Sequence, residues 1–209
     1  YHILYDEIPA LIDFFKAKEK LLSSLHSNTK VHIVEHHITH MASAFLVSPY
    51  DEAAILTLDA RGELATTAFG VGDGKKIKKL NEAKMPHSLG MFYAAITDYL
   101  GFKHGEDEYK VMGLASYGEP TYIEKFRDII RFDKKNLLIN NLKYFSYQNG
   151  RGFFSKEFYN FFGSARKPNE PIEKKHKDLA SSAQLLLEEL VIKSYLGVTI
   201  VIGFGYVYG

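Results

Sequence analysis

Four of the nine histidines fall between residues 32 and 40, and two of them, His36 and His40, are four residues apart. On a helix that spacing projects both imidazoles from one face, a turn apart. Two imidazoles so placed can grip one metal ion. Neutral imidazole suits iron, zinc, manganese and nickel alike, so the spacing leaves the metal open. The plainer alternative is a pair of surface or satisfied core histidines. Asp59 bears on the choice. It closes the apolar run Ala53 to Asp59 (AAILTLD) and opens the turn Ala60-Arg61-Gly62-Glu63. A carboxylate there adds a hard oxygen ligand to the two imidazoles and leaves room for substrate. Aspartate also favours turns for its own backbone hydrogen bonding, so the three residues together favour a metal site modestly.

A second candidate lies at Glu108 to Gly118 (EYKVMGLASYG). Lys110 can neutralise a phosphate there, and Gly113 lets a backbone approach a ligand. The competing reading is a salt-bridged strand end followed by a packing loop. The series Gly70, Gly72, Gly74 lacks the strand-to-helix setting of a dinucleotide fingerprint and reads as a hairpin turn. No Gly-x-Ser-x-Gly elbow is present.

The elements that must hold these groups follow from periodicity. Residues 8 to 26 read as an amphipathic helix opened by Pro9, with Ile8, Leu11, Ile12, Phe15, Leu22 and Leu25 on one face. Val31 to Glu35 is a short strand candidate, and His36 through Ala44 reads as helix. Ala53–Asp59, Leu64–Val71 and Lys75–Leu80 form a three-stranded meander. Ser88 is placed to cap a helix over Leu89–Leu100, which Gly101 and Phe102 end. Gly113–Pro120 reads as loop, Thr121–Arg131 as helix, and Leu137–Tyr147 as a hairpin around Asn140-Asn141. A Pro- and Lys-rich connection over 163 to 175 leads into a helix from Lys177 to Tyr195. Strands mixed with helices in this order give an α/β or α+β class.

The 209 residues are 46% hydrophobic and 24% charged, a globular composition long enough to bury a core. With no cysteine, disulfides, thiolate zinc sites and thiol nucleophiles are excluded, and a reducing cytoplasm is allowed. A net charge of +1, with its lysines in solvated turns, argues against nucleic acid as a partner. No apolar run approaches membrane-spanning length. Tyr1 opens directly into helix-like sequence, which reads as a truncated start.

Three stretches, EHHITHMASAFLVSPYDEAAILTLDARGE, MPHSLGMFYAAITDYLGF and EYKVMGLASYGEP, resemble the nodulation-type O-carbamoyltransferases. A fainter likeness runs through SKEFYNFFGSARKPNEPI and HKDLASSAQLLLEEL, so the resemblance covers about residues 31 to 195. It implies an actin-like ATPase fold with RNase-H-like lobes, a mixed sheet with flanking helices, here as an incomplete domain. Residues 1–50 would end the first lobe and 51–209 would form the second. It further implies transfer of a carbamoyl group from carbamoyl-adenylate, made from carbamoyl phosphate and ATP, to the hydroxyl of a small-molecule acceptor beside a ferrous ion.

On this resemblance His36 and His40 match the metal histidines and Asp59 the aspartate ligand of an Asp-Gly-x-Gly-Glu turn, with Ala60 where the family has glycine. Gly62, Glu108, Lys110 and Gly113 fall near the nucleotide. His37 is the candidate for proton removal, although it points elsewhere on a straight helix. Ser116 stands where proline is common, and LGVTIVIGFGYVYG replaces an expected Gly-Gly-Val-Ala-Leu-Asn loop. Two rival expectations are a metal- or nucleotide-binding protein without catalysis and a relative of the tRNA threonylcarbamoyl-transfer enzymes.

Overall fold

The computed structural model describes residues 16, 19–25, 29–147, 152–193 and 200–204, the last segment by its backbone alone. Of the expected helix over 8 to 26, residues 16 and 19–24 are helical and Leu22 is half exposed; the remainder lies outside the described residues.

Helix α1 spans His36–Phe45 and lies on the sheet. His37, Met41 and Phe45, each four apart, make one stripe turned into the protein, and His36 and His40 make the neighbouring stripe. Strands β1 (Glu52–Leu58), β2 (Ala65–Asp73) and β3 (Lys76–Lys84) form the expected antiparallel meander. A further strand, Ile200–Phe204, pairs parallel with β1, which completes a mixed sheet in the order β3-β2-β1-last strand. β1 is therefore central, and its residues Ala53 to Thr57 are buried on both faces. Ala53 and Ile55 pack with Met41 and Phe45 of α1, while Leu58 packs into the helical core on the other face. By that alternation Asp59 continues the α1-facing side of β1.

Gly70 and Gly72 lie inside β2 rather than in the hairpin turn expected of them. They are small because α1 presses on them: a Cβ on Gly72 would stand 2.4 Å from the Phe45 ring, and one on Gly70 would stand 3.0 Å from Met41 Sδ. Gly74 alone of the series sits in the turn, at φ +56°. The lysines of β3 are also more than solvated ends. Lys79 is ion-paired with both Glu35 and Glu82. Burial works against its charge, but the two carboxylates overcome that and raise its pKa.

The second face carries the helices. α2 (Leu89–Tyr99) starts under Ser88, whose Oγ accepts from Met91 N at 3.0 Å. It ends at Gly101, φ +74°, where Gly101 N–H reaches Asp98 O and Phe102 N–H reaches Thr97 O. α3 runs Glu108–Ala115, so the first residues of the expected loop are helical and Gly113 lies in that helix. α4 (Ile123–Arg127) is cut short by β4 (Ile130–Asp133), which pairs with β5 (Leu137–Asn140). The hairpin turns at 134–136 and not at Asn140-Asn141. Asp133 Oδ1 accepts from the backbone N–H groups of Lys135 and Asn136, an Asx turn that outcompetes the asparagine pair. Val31–Glu35 forms no strand and leaves Ile33 and Val34 exposed, having no neighbour to pair with. Helices α5 (Lys156–Phe162) and α6 (Lys174–Lys193) close the structure, α6 packing on α2, α3 and α4. The fold is thus mixed α/β. The boundary expected at residue 50 falls between α1 and β1, which share a core.

Burial holds the pKa values of His87 and His176 below the ordinary 6.5. As pH falls past 6.5 the unfolded chain therefore takes up protons at these two residues before the folded protein does. The unfolded state is then favoured, and the loss is complete below the folded values. Stability should fall by up to about 1.4 kcal/mol per pH unit per histidine below that point. Urea midpoints between about pH 7.5 and about pH 5.5 measure it; a flat profile contradicts neutral burial.

Candidate metal centre

His36 and His40 reach the site because α1 is helical, and Asp59 because β1 ends beside the first turn of α1. Asp59 Oδ2 lies 2.6 Å from His36 Nε2 and 3.3 Å from His40 Nε2, and the two Nε2 atoms are 2.9 Å apart. Three lone-pair-bearing atoms this close need a shared proton or a cation between them. Two ligands at right angles on bonds of about 2.1 Å stand about 3.0 Å apart, against about 3.4 Å at the tetrahedral angle. The triangle, with sides of 2.6, 2.9 and 3.3 Å, is of the size that one shared cation would span. Among the described residues this is the one cluster of three or more histidine or acidic groups able to hold a metal. The donor set suits a divalent cation with open positions for substrate.

Each candidate ligand is braced. Asp59 Oδ1 accepts from Ala60 N at 2.6 Å, which turns Oδ2 toward the imidazoles. The Asp59 N–H bonds Thr66 O, so the ladder continues one residue past β1. Ala60 keeps an ordinary negative φ, so the turn does not need the glycine of the resembled pattern. Glu63 Oε1 accepts from His36 N at 3.2 Å and ties the turn to the first turn of α1. Ser88 Oγ donates to Ala60 O at 2.8 Å, which joins the same turn to the start of α2. Gly90 sits so close that a Cβ there would lie 2.5 Å from Asp59 O.

Gly62 belongs to this group by position. Its N–H donates to Ala65 O at 2.7 Å, and a Cβ on it would stand 3.0 Å from the His36 ring. His37 faces the other way. It is fully buried, with Nδ1 2.7 Å from Thr57 Oγ1, and burial lowers its pKa. Glu108, Lys110 and Gly113 sit together on α3, which packs on α2 and α6. Lys110 is half exposed and paired with Asp107 at 2.7 Å. Glu108 Oε1 accepts from Gly105 N, and its Oε2 is buried without a partner. Gly113 has nothing within 4 Å of where a Cβ would stand.

Sequence reasoning missed Glu63, Thr57 and Gly90 as supports. Thr57 was findable, since it shares strand parity with Asp59. Gly90 was not, because its closeness to residue 59 arises from the packing of α2 on the sheet.

A mixed sheet bearing a two-histidine, one-carboxylate cluster at the end of its central strand defines an α/β domain built around a candidate cation site. The chain belongs to the carbamoyltransferase N-terminus family, whose model matches residues 10–205. It is similar to the uncharacterized protein sll1178 of Synechocystis, 42% identical over 76% of this chain and 26% of that protein. It is also similar to the nodulation protein NolNO of Sinorhizobium fredii, 35% identical over 78% of this chain and 22% of the relative. The nodulation protein NolO of Bradyrhizobium diazoefficiens is 28% identical over 76% and 27%. The chain thus spans about a quarter of the length of these curated relatives. Among the described residues no helix is long and apolar enough to cross a membrane.

Proposed function

We propose that this chain carries the carbamoyl-transfer site of an O-carbamoyltransferase. The carbamoyl group of carbamoyl-adenylate, made from carbamoyl phosphate and ATP, would pass to the hydroxyl of a small-molecule acceptor at His36, His40 and Asp59. The observation that carries this reading is the convergence of those three donor atoms within 3.3 Å in a member of a carbamoyltransferase family. Two imidazoles and one carboxylate with positions left open would suit ferrous iron. When bound, the ion would supply Lewis-acid polarisation of the carbamoyl carbonyl and a fixed place for the acceptor hydroxyl.

The chain's own groups then have distinct tasks. Asp59 holds Oδ2 in place through Ala60 N–H, and Glu63 fixes the first turn of α1 relative to the turn. The sealed ring of His37 supports a positioning role more than direct proton removal: its bond to Thr57 sets α1 against β1 two residues before Asp59. Glu108, Lys110 and Gly113 remain the proposed nucleotide contacts, with Lys110 exchanging Asp107 for a phosphate. An antiparallel meander extended by one parallel strand supports the actin-like reading of the sheet.

Anaerobic incubation with Fe(II), preformed carbamoyl-adenylate and a polyol acceptor tests the proposal. Iron-dependent release of AMP is expected, reduced by about 10²–10³ in His40→Ala, the size of effect typical for loss of one oxyanion-stabilising group. Equal rates in that variant, or rates indifferent to iron, would rule the assignment out.

A further inference from the structure

Away from the triad, the connection before α6 folds over a cavity of about 380 Å³ lined by Ser164, Arg166, Lys167, Lys175 and His176, among others. Its walls hold two nearly buried polar side chains, Arg166 at 6% exposure and His176 at 4%. Arg166 carries the unusual feature. Its guanidinium meets five carbonyl oxygens, those of Leu100, Gly101, Lys167, Pro168 and Glu170, and makes no ion pair among the described residues. Buried charges are normally paired, so this cation is solvated by dipoles but not neutralised. Nη1 serves three carbonyls, while Nη2 makes a single contact at 3.3 Å, which leaves one of its N–H groups unspent.

His176 adds a second donor. Its Nδ1 accepts from the backbone N–H of Glu173 at 2.9 Å, a side-chain cap from the third helical residue back to the residue before α6. In the neutral ring that bond puts the proton on Nε2, which has no protein partner. The start of α6 supplies more. Among the described residues the backbone N–H groups of Lys174 and Lys175 have no acceptor. The first turn holds Lys174 and Lys175, whose ammonium groups pair with Asp178 and Glu173 at the rim. Two carboxylates border the cavity: Glu170 accepts from Lys167 N, and Glu173 pairs with Lys175.

We propose that this cavity is a binding site for an oxyanion, a phosphoryl or carboxylate group of a small molecule, held by Arg166, His176 and the first turn of α6. An anion there would neutralise the buried guanidinium and use the unspent Nη2–H and Nε2–H donors together with the free backbone N–H groups of the helix start. The site stands whether or not the triad binds metal, since it shares no residue with it.

Thermal unfolding and calorimetry with inorganic phosphate and with malonate, each against chloride at equal ionic strength, provide the test. A saturable shift is expected with one of the two: phosphate alone identifies a phosphoryl ligand, malonate alone a carboxylate. His176→Leu and the double variant Lys167→Ala, Lys175→Ala should each weaken that binding at least tenfold. The lysine pair is exposed and folds independently of the cap, so it decides the matter if His176→Leu is unstable. A response no greater than that to chloride, or one unchanged in the lysine variant, overturns the proposal.

Discussion

Asp59→Ala is expected to lower the affinity for Fe(II) by more than about 100-fold. Loss of a group that merely orients a ligand typically costs about 10–100-fold, and on the proposed site Asp59 would itself be a ligand and the carboxylate of the triangle. Asp59→Asn keeps the shape and the acceptor for Ala60 N–H but not the charge, so its loss should be intermediate. The change in fold stability should be small, on the order of 1 kcal/mol, because the backbone hydrogen bond of Ala60 can pass to water. Anaerobic competition against a chelator measures the affinities, and urea unfolding measures the stability. Retention of affinity within about threefold in Asp59→Ala would sink the three-donor site, since Asp59 would then contribute nothing to binding.

The second large effect is expected from a residue that touches no ligand. In Gly90→Ala the new methyl would stand 2.5 Å from Asp59 O and 2.6 Å from Ala60 N. Neither neighbour is the free end of a side chain; both belong to a turn held by Thr66, Ser88 and the Asp59 carboxylate. Either α2 or the turn must move, at a cost of about 1–3 kcal/mol for overpacking. Movement of the turn also displaces Oδ2, so iron affinity should fall with stability. Gly113→Ala is the matched comparison. The same methyl there meets nothing within 4 Å, on a helix where glycine costs about 0.5–1 kcal/mol relative to alanine. It should raise stability by that amount and leave iron affinity unchanged. If both variants shift the urea midpoint alike, close packing at Gly90 is not what holds the turn.

Several of these features were legible in the residues themselves. The four-residue spacing of His36 and His40 fixes a common face once the segment is helical, and the apolar run before Asp59 requires a strand that delivers it to an edge. The serine before Leu89 and the glycine after Leu100 set the ends of α2 by local hydrogen bonding. Local rules failed where competing turns were equally allowed. Asn140-Asn141 and Asp133-Lys134-Lys135-Asn136 both suit a hairpin, and pairing of Ile130–Asp133 with Leu137–Asn140 chose the second. Val31–Glu35 has β-type residues but no strand beside it.

What the sequence by itself determined is therefore the donor chemistry, the helical phase of the histidines and the three-stranded meander. These depend on side-chain type and on periods of two and 3.6 residues, which any short window contains. What only the tertiary structure decided is that 23 residues of separation close to 2.6 Å between His36 and Asp59. It also decided that His37 is walled off against Thr57, that Gly70, Gly72 and Gly90 are small to admit their neighbours, and that Arg166 is buried among five backbone carbonyls. Those outcomes depend on which surfaces meet, a property of the packed chain as a whole that no local pattern encodes.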